Sequence, residues 1–263
     1  MKTRALAVFI ALLLVAAPLG YVGYGYFMYS KVVNPGEPIT STEYVVIKTP
    51  AGQFYSMTSS EFREYVSEGG KLPAGSKLYR IRVESYLTGS PVVDLNTTLR
   101  SIYDSYTIVL GAPSLKNCKT NPNLYPGSCS LRTATVMELT AFVSNIFSTI
   151  YYLKALAMGY DNATARAYAY NQTLLRNRKV YLTFWTKFRI GSGRLGNSHN
   201  LALVLIGPAE GATANRVFVP RKGLVVFEGT SDDTLRAEVV LVEHLIGFQW
   251  PEGKNPQIVS ATG

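Results

Sequence analysis

Histidine and cysteine are scarce in this sequence, which holds two of each among 263 residues: His199, His244, Cys118 and Cys129. These four residues show no ligand spacing of the kind that a tetrahedral zinc site requires. A Gly-x-Ser-x-Gly elbow, which would present a nucleophilic serine on a sharp turn, is absent as well. We therefore predict no metal, no cofactor and no catalytic residue, and we favour a non-enzymatic role.

Charged side chains are also few, at 16% of the residues, whereas apolar residues make up 47%. This composition excludes an intrinsically disordered chain and supplies enough apolar material for a core. The net charge of +9 favours anionic partners, such as phospholipid head groups or acidic glycans, without choosing among them.

One stretch of the chain has no charge at all: Ala5–Met28, which is 24 residues long. A helix needs about 20 residues to cross the hydrocarbon core of a bilayer. Lys2 and Arg4 precede the stretch and favour a cytoplasmic N-terminus, and tyrosines gather at its far end, where aromatic rings favour the membrane–water boundary. The sequence therefore predicts the lipid bilayer as the partner of residues 5–28 and export of the remainder.

A cleaved signal peptide is the main alternative for this N-terminal segment. The apolar run Ala5–Ala17 fits the core of a signal sequence, and Val15, Ala16 and Ala17 offer a small-residue cleavage site. Pro18 follows directly, and its ring replaces the N–H of the bond to be cut, which hinders cleavage. An uncleaved anchor is therefore favoured.

A further alternative depends on the residues where the charges meet the apolar stretch. Arg4-Ala5-Leu6-Ala7 resembles the basic–small–apolar processing site of archaeal type IV pilin precursors, which precedes a hydrophobic helix. The resemblance covers only the N-terminus. It implies processing after Ala5 and a mature helix that packs into the core of an extracellular filament.

Two other features agree with export. Cys118 and Cys129 flank a polar loop, and in an exported protein this spacing favours a disulfide, which would stabilise the fold by about 3 kcal/mol. Asn96, Asn162 and Asn171 each begin an Asn-x-Thr triplet and are candidate glycosylation sites if the host glycosylates.

Composition divides the chain into three parts. Residues 1–30 are the predicted membrane anchor, residues 31–42 a Pro/Gly/Ser/Thr-rich linker, and residues 43–263 an extracytoplasmic domain. An internal division into 43–160 and 161–263 is an alternative. For the domain we predict an α/β (or α+β) fold with a mixed sheet, a long core helix and a C-terminal unit made of a β-hairpin and a helix.

Periodicity predicts the elements of this domain. Apolar runs predict strands at 42–48, 77–87, 106–110, 179–190, 201–206, 216–219 and 224–227. Helical spacing predicts helices at 59–68, 94–103, 136–157, 161–176 and 230–247. In the last helix, Thr230 or Ser231 is the expected N-cap and Gly247 the C-terminal stop.

A charge asymmetry indicates one candidate binding surface. Between Asp161 and Glu210 the sequence has no acid but seven basic residues. On the predicted strand 179–190, alternation sends one set of aromatic and cationic side chains to the same face: Tyr181, Trp185, Lys187 and Arg189. Such a face suits anionic glycans or lipid head groups, whereas nucleic acid is not an expected partner. The glycine-rich run at 191–196 matches a dinucleotide motif but precedes a strand, so we interpret it as a hairpin loop.

The sequence is best explained by a membrane-anchored cell-surface protein that serves interaction or assembly, with itself, with other surface proteins or with anionic glycans. The alternatives are a pilin-like filament subunit processed after Ala5 and an exported hydrolase with an unrecognised active site. The hydrolase would have to draw on residues that have the chemistry of a triad but not its spacing: Ser192, Ser198, His199, Glu243 and His244.

Overall fold

A computed structural model of the chain describes residues 2–101, 109–111, 128–176 and 184–247. This part of the chain contains seven helices: α1 (Lys2–Val33), α2 (Ser59–Ser67), α3 (Pro91–Arg100), α4 (Ser128–Ala157), α5 (Asn162–Arg176), α6 (Phe184–Gly191) and α7 (Asp232–Ile246). Its seven strands are β1 (Thr40–Lys48), β2 (Phe54–Thr58), β3 (Lys77–Ser85), β4 (Val109–Gly111), β5 (Ala202–Ile206), β6 (Arg216–Arg221) and β7 (Leu224–Glu228).

The described strands form one mixed sheet in the order β2-β1-β3-β6-β7-β5-β4. The pairs β3–β6, β7–β5 and β5–β4 are parallel, and the other neighbours are antiparallel. The predicted mixed α/β class is therefore confirmed. The antiparallel pair β6–β7, followed by α7, is the predicted C-terminal unit, and strands from both sides of position 160 interleave in the sheet.

Both faces of the sheet are buried, which explains the uninterrupted apolar runs of β5 and β7. Side chains alternate between the faces, so Leu203 and Leu205 of β5 lie on the first face and Ala202 and Val204 on the second. Helices α3, α4 and α7 pack on the first face. The end of α1 and the end of α6 pack on the second face.

Helix α4 is the predicted long core helix. Leu139, Val143 and Ile146 are 0–3% exposed and belong to the core of the first face. Among the helices whose side chains the structure describes, Thr133–Ala157 is also long and apolar enough to cross a membrane by length and composition alone. Its buried stripe accounts for that composition, because a core helix needs the same residues.

Helix α7 begins and ends where its capping residues predict. Ser231 Oγ accepts a hydrogen bond from the Thr234 backbone N–H at 3.0 Å. Asp232 and Asp233 follow in the first turn, where negative charge is favourable. Gly247 ends the helix in the left-handed conformation, with a φ of 55°.

Two elements differ from the prediction. The strand predicted at 179–190 is wrong, because residues 184–191 form α6, while 177–183 lie outside the described residues. Phe184 and Phe188 fit one face of a helix as well as they fit the alternation of a strand, and their contacts with α1 decide the outcome. The glycine-rich loop after α6 consequently follows a helix and is not a hairpin loop. Edge strand β2 escapes prediction because all five of its side chains are half-buried.

Candidate functional site

Helix α1 has an exposed part and a buried end. Residues 14–20 are all exposed, with Leu14 at 70%. Tyr29 and Val33, by contrast, are each 7% exposed and pack on the second face of the sheet against side chains of β5, β6 and β7. The helix is continuous between the two parts, so its exposed apolar part leads directly into the core of the domain.

Helices α1 and α6 cross at two glycines. A Cβ on Gly191 would overlap the Gly25 carbonyl oxygen and lie 2.7 Å from the Tyr29 backbone nitrogen. A Cβ on Gly25 would overlap the ring of Phe188. Glycine is therefore required at position 191 by the close approach of two backbones, as in tightly packed helix pairs of membranes, and at position 25 by the ring of Phe188 that packs on it. The sequence did not reveal this contact, because neither glycine belongs to a motif that identifies its partner.

Aromatic side chains surround the crossing, and we call this set the aromatic collar: Tyr21, Tyr26, Phe184, Trp185 and Phe188. Tyr21 meets Phe188 edge to face with ring centroids 5.2 Å apart, and Tyr26 stacks on Phe184 at the same distance. Such pairs each contribute about 0.5–1.5 kcal/mol beyond area burial. Trp185 touches both phenylalanines and is 63% exposed, while Phe184 is 47% exposed. The collar therefore joins the two helices and still presents a large open aromatic surface.

Cations lie over the rings of the collar. Lys187 Nζ is 5.8 Å from the ring centroid of Tyr26 and 5.6 Å from that of Tyr29. The Arg194 guanidinium is 5.8 Å from the ring centroid of Tyr21. At this distance a cation is attracted to the negative face of an aromatic ring. Positive charge and aromatic surface are thus combined at the end of α1.

Arg221, the last residue of β6, fixes the C-terminal end of α6. Its Nη2 donates to the carbonyls of Ile190 and Leu195 at 2.5 and 2.7 Å, and its Nε donates to that of Gly196 at 2.7 Å. Burial lowers the pKa of the Arg221 guanidinium, which stays charged because arginine starts far above neutral pH. A cation at this end of a helix satisfies free carbonyls and complements the helix dipole.

Tyr181, Trp185, Lys187 and Arg189 were predicted to share one face of a strand, and the structure does not place them on a common face. Tyr181 is outside the described residues. Trp185 and Arg189 are one turn apart on α6, and both are exposed. Lys187 instead covers two tyrosine rings of α1. The predicted single face is wrong because residues two positions apart lie on nearly opposite sides of a helix.

The predicted disulfide and glycosylation sites are only partly placed. Cys118 lies outside the described residues and Cys129 is in the first turn of α4, so the disulfide stays a prediction. Asn162 and Asn171 are exposed on α5. Asn96 of α3 is half-buried and accepts a hydrogen bond from an arginine of the same helix. The two asparagines of α5 are therefore the more accessible acceptors.

One serine–histidine contact bears on the hydrolase alternative. Ser56 Oγ and His244 Nδ1 are 2.7 Å apart, joining β2 to α7. Burial lowers the pKa of the His244 imidazole, which favours its neutral form. Among the hydrogen bonds of the described residues, no carboxylate reaches this ring. His199 lies in an exposed turn in which its backbone N–H donates to Asn197 Oδ1 at 2.9 Å.

A buried group of ionisable side chains lies on the central strands of the sheet and on the helix packed against them. Arg216 donates from Nε to Glu228 at 2.7 Å and from Nη1 to Glu84 at 3.1 Å. Burial acts to raise the pKa of Glu228, but hydrogen bonds from Thr213 and Arg216 outweigh it, so the pKa is lowered. Glu238 of α7 is fully buried and neither carboxyl oxygen makes a hydrogen bond of good geometry. Burial and the nearby Glu228 raise the pKa of Glu238 well above its usual value, and the Arg216 backbone offsets this only in part.

Other surfaces offer less for chemistry. In the described part of the chain, no group of three or more His, Cys, Asp or Glu side chains is arranged to hold a metal ion. A shallow groove beside β1 is lined by Glu43, Ser59 and Arg80 among others. Its polar groups already bond to one another, since Glu43 accepts from Ser59 Oγ at 2.6 Å and from Arg80 at 3.3 Å. The chain matches no protein-family model, no curated protein and no solved structure. Its function is therefore inferred from α1 and the aromatic collar.

Proposed function

We propose that α1 crosses a membrane and that the chain is an anchored cell-surface protein whose α/β domain serves interaction or assembly outside the cytoplasm. The observation that supports this best is the division of α1 into an exposed, charge-free part and an end built into the core. In water, the exposed part would leave apolar surface hydrated at a cost of about 25 cal/mol per Å². A bilayer removes that cost.

The charges at the start of α1 support an exported domain. Lys2 and Arg4 precede the apolar stretch, and positive charge next to a span favours the cytoplasmic side. The exposed asparagines Asn162 and Asn171, and the predicted pairing of Cys118 with Cys129, agree with a domain outside the cytoplasm.

The domain is held close to the bilayer in this proposal. The segment predicted as a linker contains the last turn of α1 and the first residues of β1, which leaves residues 34–39 between them. That short segment is itself bonded to the domain, because Tyr86 Oη donates to the Gly36 carbonyl at 3.2 Å and the Ile39 N–H donates to the Ser85 carbonyl at 2.8 Å. The anchor therefore fixes which face of the domain a partner meets.

An exposed apolar group on the first-face side supports a role in interaction or assembly. Leu153, Met158 and Tyr160 lie at the turn between α4 and α5 and are 55%, 48% and 43% exposed. Apolar side chains that are exposed singly need no explanation, but three between residues 153 and 160 offer apolar surface of the kind found at protein interfaces. We propose this turn as the contact for a second copy or another surface protein.

The anchor is tested with a charge in the exposed part of α1. Leu14→Arg places an arginine near the middle of the span, where insertion costs about 2.5–3.5 kcal/mol, and Leu14→Phe is the matched control that keeps the position apolar. The native chain and the control should resist extraction by alkaline carbonate, and their domain should be digested by protease added to intact cells. Leu14→Arg should lower the fraction in the membrane. Complete extraction of the native chain, or protection of the domain in intact cells, would show that the proposal is wrong.

A filament subunit is the second candidate, because the exposed part of α1 would suit the core of a filament as well as a bilayer. Intact-mass analysis of the native protein distinguishes the two. A chain that begins at Leu6 would favour the filament, since processing would then follow Ala5. A chain that retains Lys2 and Arg4 favours the anchor.

The hydrolase alternative depends on the contact of Ser56 with His244. A screen of glycans, peptides and phosphoesters with the native chain and with His244→Ala would test it. Activity that disappears in the variant would support a hydrolase, whereas activity unchanged by the variant would exclude this pair as its site.

A further inference from the structure

We infer that α6 is an interfacial helix, which lies in the head-group region of the leaflet from which α1 emerges. The rings of Phe184 and Trp185 would enter the lipid, and Arg189 and Arg194 would meet lipid phosphates. This inference rests on the proposed function, because it requires α1 to cross the bilayer. It names a phospholipid surface as the partner of the open side of the aromatic collar.

The length of α1 ahead of its first contact with α6 sets the depth of α6. The 16 residues from Ala5 to Gly20 extend about 24 Å at about 1.5 Å per residue. The hydrocarbon core is about 30 Å thick, so the bilayer has to continue to about Tyr24. The ring of Tyr21 already touches α6. Helix α6 therefore begins to contact α1 close to the boundary between the hydrocarbon core and the head groups, and it cannot stand clear of the membrane.

The side chains that α6 leaves exposed suit this level. Trp185 is 63% exposed and Phe184 is 47% exposed, although both belong to a chain segment packed on α1. Tryptophan combines a large apolar ring with an N–H donor, and aromatic rings of this kind favour the membrane–water boundary. The same rings in water would be an unexplained apolar patch beside the anchor.

The charges around α6 complement an anionic leaflet. Residues 162–209 contain no acid. Arg189 lies one turn from Trp185, and Arg194 covers the ring of Tyr21 from the loop that follows α6. Basic residues close to an anionic lipid surface are attracted to it. A soluble anionic glycan would satisfy the same cations but would leave the exposed rings in water, so the lipid surface explains more of the arrangement.

Tryptophan fluorescence tests the inference on the full chain. The chain has two tryptophans, so Trp250→Phe leaves Trp185 as the only reporter. A control chain carries Trp185→Phe, Trp250→Phe and Tyr170→Trp. The reporter then lies on α5, which packs on the first-face side, at a position where the native Tyr170 is 64% exposed. Both are reconstituted into vesicles of phosphatidylcholine and phosphatidylglycerol whose acyl chains are brominated near the head group. We expect quenching of Trp185 to exceed that of the control by at least about twofold.

The outcomes separate the inference from the proposed function. Equal quenching of the two reporters, in vesicles from which carbonate does not extract the chain, would overturn the interfacial helix and leave the anchor standing. Extraction of the chain by carbonate would overturn both. Emission of Trp185 that responds to added heparin-type glycan but not to brominated lipid would also overturn the inference and assign the surface to glycans. Arg189→Ser should reduce the quenching of Trp185 in anionic vesicles more than in neutral ones.

Discussion

Replacement of Gly191 by alanine should separate α1 from α6. In the folded chain, a Cβ at this position would lie 2.7 Å from the Tyr29 nitrogen and 2.8 Å from the Gly25 carbonyl carbon, whereas ordinary contacts fall at 3.4–4 Å. Both obstacles are backbone atoms of a helix, so no side chain can turn away. Because the Gly25 carbonyl oxygen lies closer still, the helices would have to move apart by more than about 1 Å, and overpacking of this kind costs about 1–3 kcal/mol.

Thermal unfolding of the detergent-solubilised chain, followed by far-UV circular dichroism, measures this effect. For a chain of this size, about 1–3 kcal/mol corresponds to a decrease in Tm of about 3–10 °C. Gly23→Ala is the matched control, because it adds the same methyl group to the same helix pair where nothing lies within 4 Å. The control should melt at the native temperature or slightly above it, since alanine is favoured over glycine in a helix by up to about 1 kcal/mol.

The comparison of the two variants shows whether the backbones of α1 and α6 are in close contact. If Gly191→Ala has the same Tm as Gly23→Ala, the close crossing does not exist. Helix α6 would then not be held at the depth inferred from its contact with α1. A decrease confined to Gly191→Ala confirms that the two backbones touch.

Three other substitutions test the ionisable groups. Glu238→Met should raise Tm at neutral pH, because burial raises the pKa of this carboxyl in the folded state. As the pH rises above the unfolded pKa of 4.5 towards the folded pKa, the native chain loses about 1.4 kcal/mol of stability per pH unit. The gain in Tm should therefore vanish near pH 4.5, and a gain that is the same at every pH would contradict this prediction. His244→Asn keeps a hydrogen-bond acceptor for Ser56 and removes the imidazole, whose pKa is lowered in the folded state. Protonation of the imidazole below pH 6.5 favours unfolding of the native chain, so the variant should lose less stability there. Parallel pH profiles of Tm for the native chain and the variant would contradict this. Arg221→Met should lower the free energy of unfolding, measured in urea, by about 2–4 kcal/mol, because three carbonyls lose their hydrogen-bond donor. Arg221→Lys should recover part of this loss. A methionine variant as stable as the native chain would show that water replaces the arginine.

Strong local patterns predicted most of the domain. The uninterrupted apolar runs of β5 and β7 have no good alternative to buried strands, and Ser231 followed by two aspartates defines the start of α7 without reference to the rest of the fold. These elements depend on residues that are neighbours in sequence. They could therefore be predicted from the sequence.

The candidate site could not be predicted in the same way, because it depends on a contact between distant segments. The apolar residues of 180–190 fit a strand and a helix equally well, and only the packing of Phe184 and Phe188 on α1 distinguishes the two. The charge asymmetry drew attention to Trp185 and Arg189, which are both exposed on α6. It gave the wrong face because the face depends on the choice between strand and helix.

The buried end of α1 makes this helix a structural part of the core on the second face of the sheet. Tyr29 and Val33 pack with Phe218 and Val226 in one core, and α6 is fixed to the same helix at Gly25. If α1 spans a bilayer as proposed, a tilt of the helix would be transmitted directly to the sheet, because α1 continues without a break into the core. A fragment that begins after α1 would lack two core side chains, and its mechanical and binding properties would be those of a different molecule.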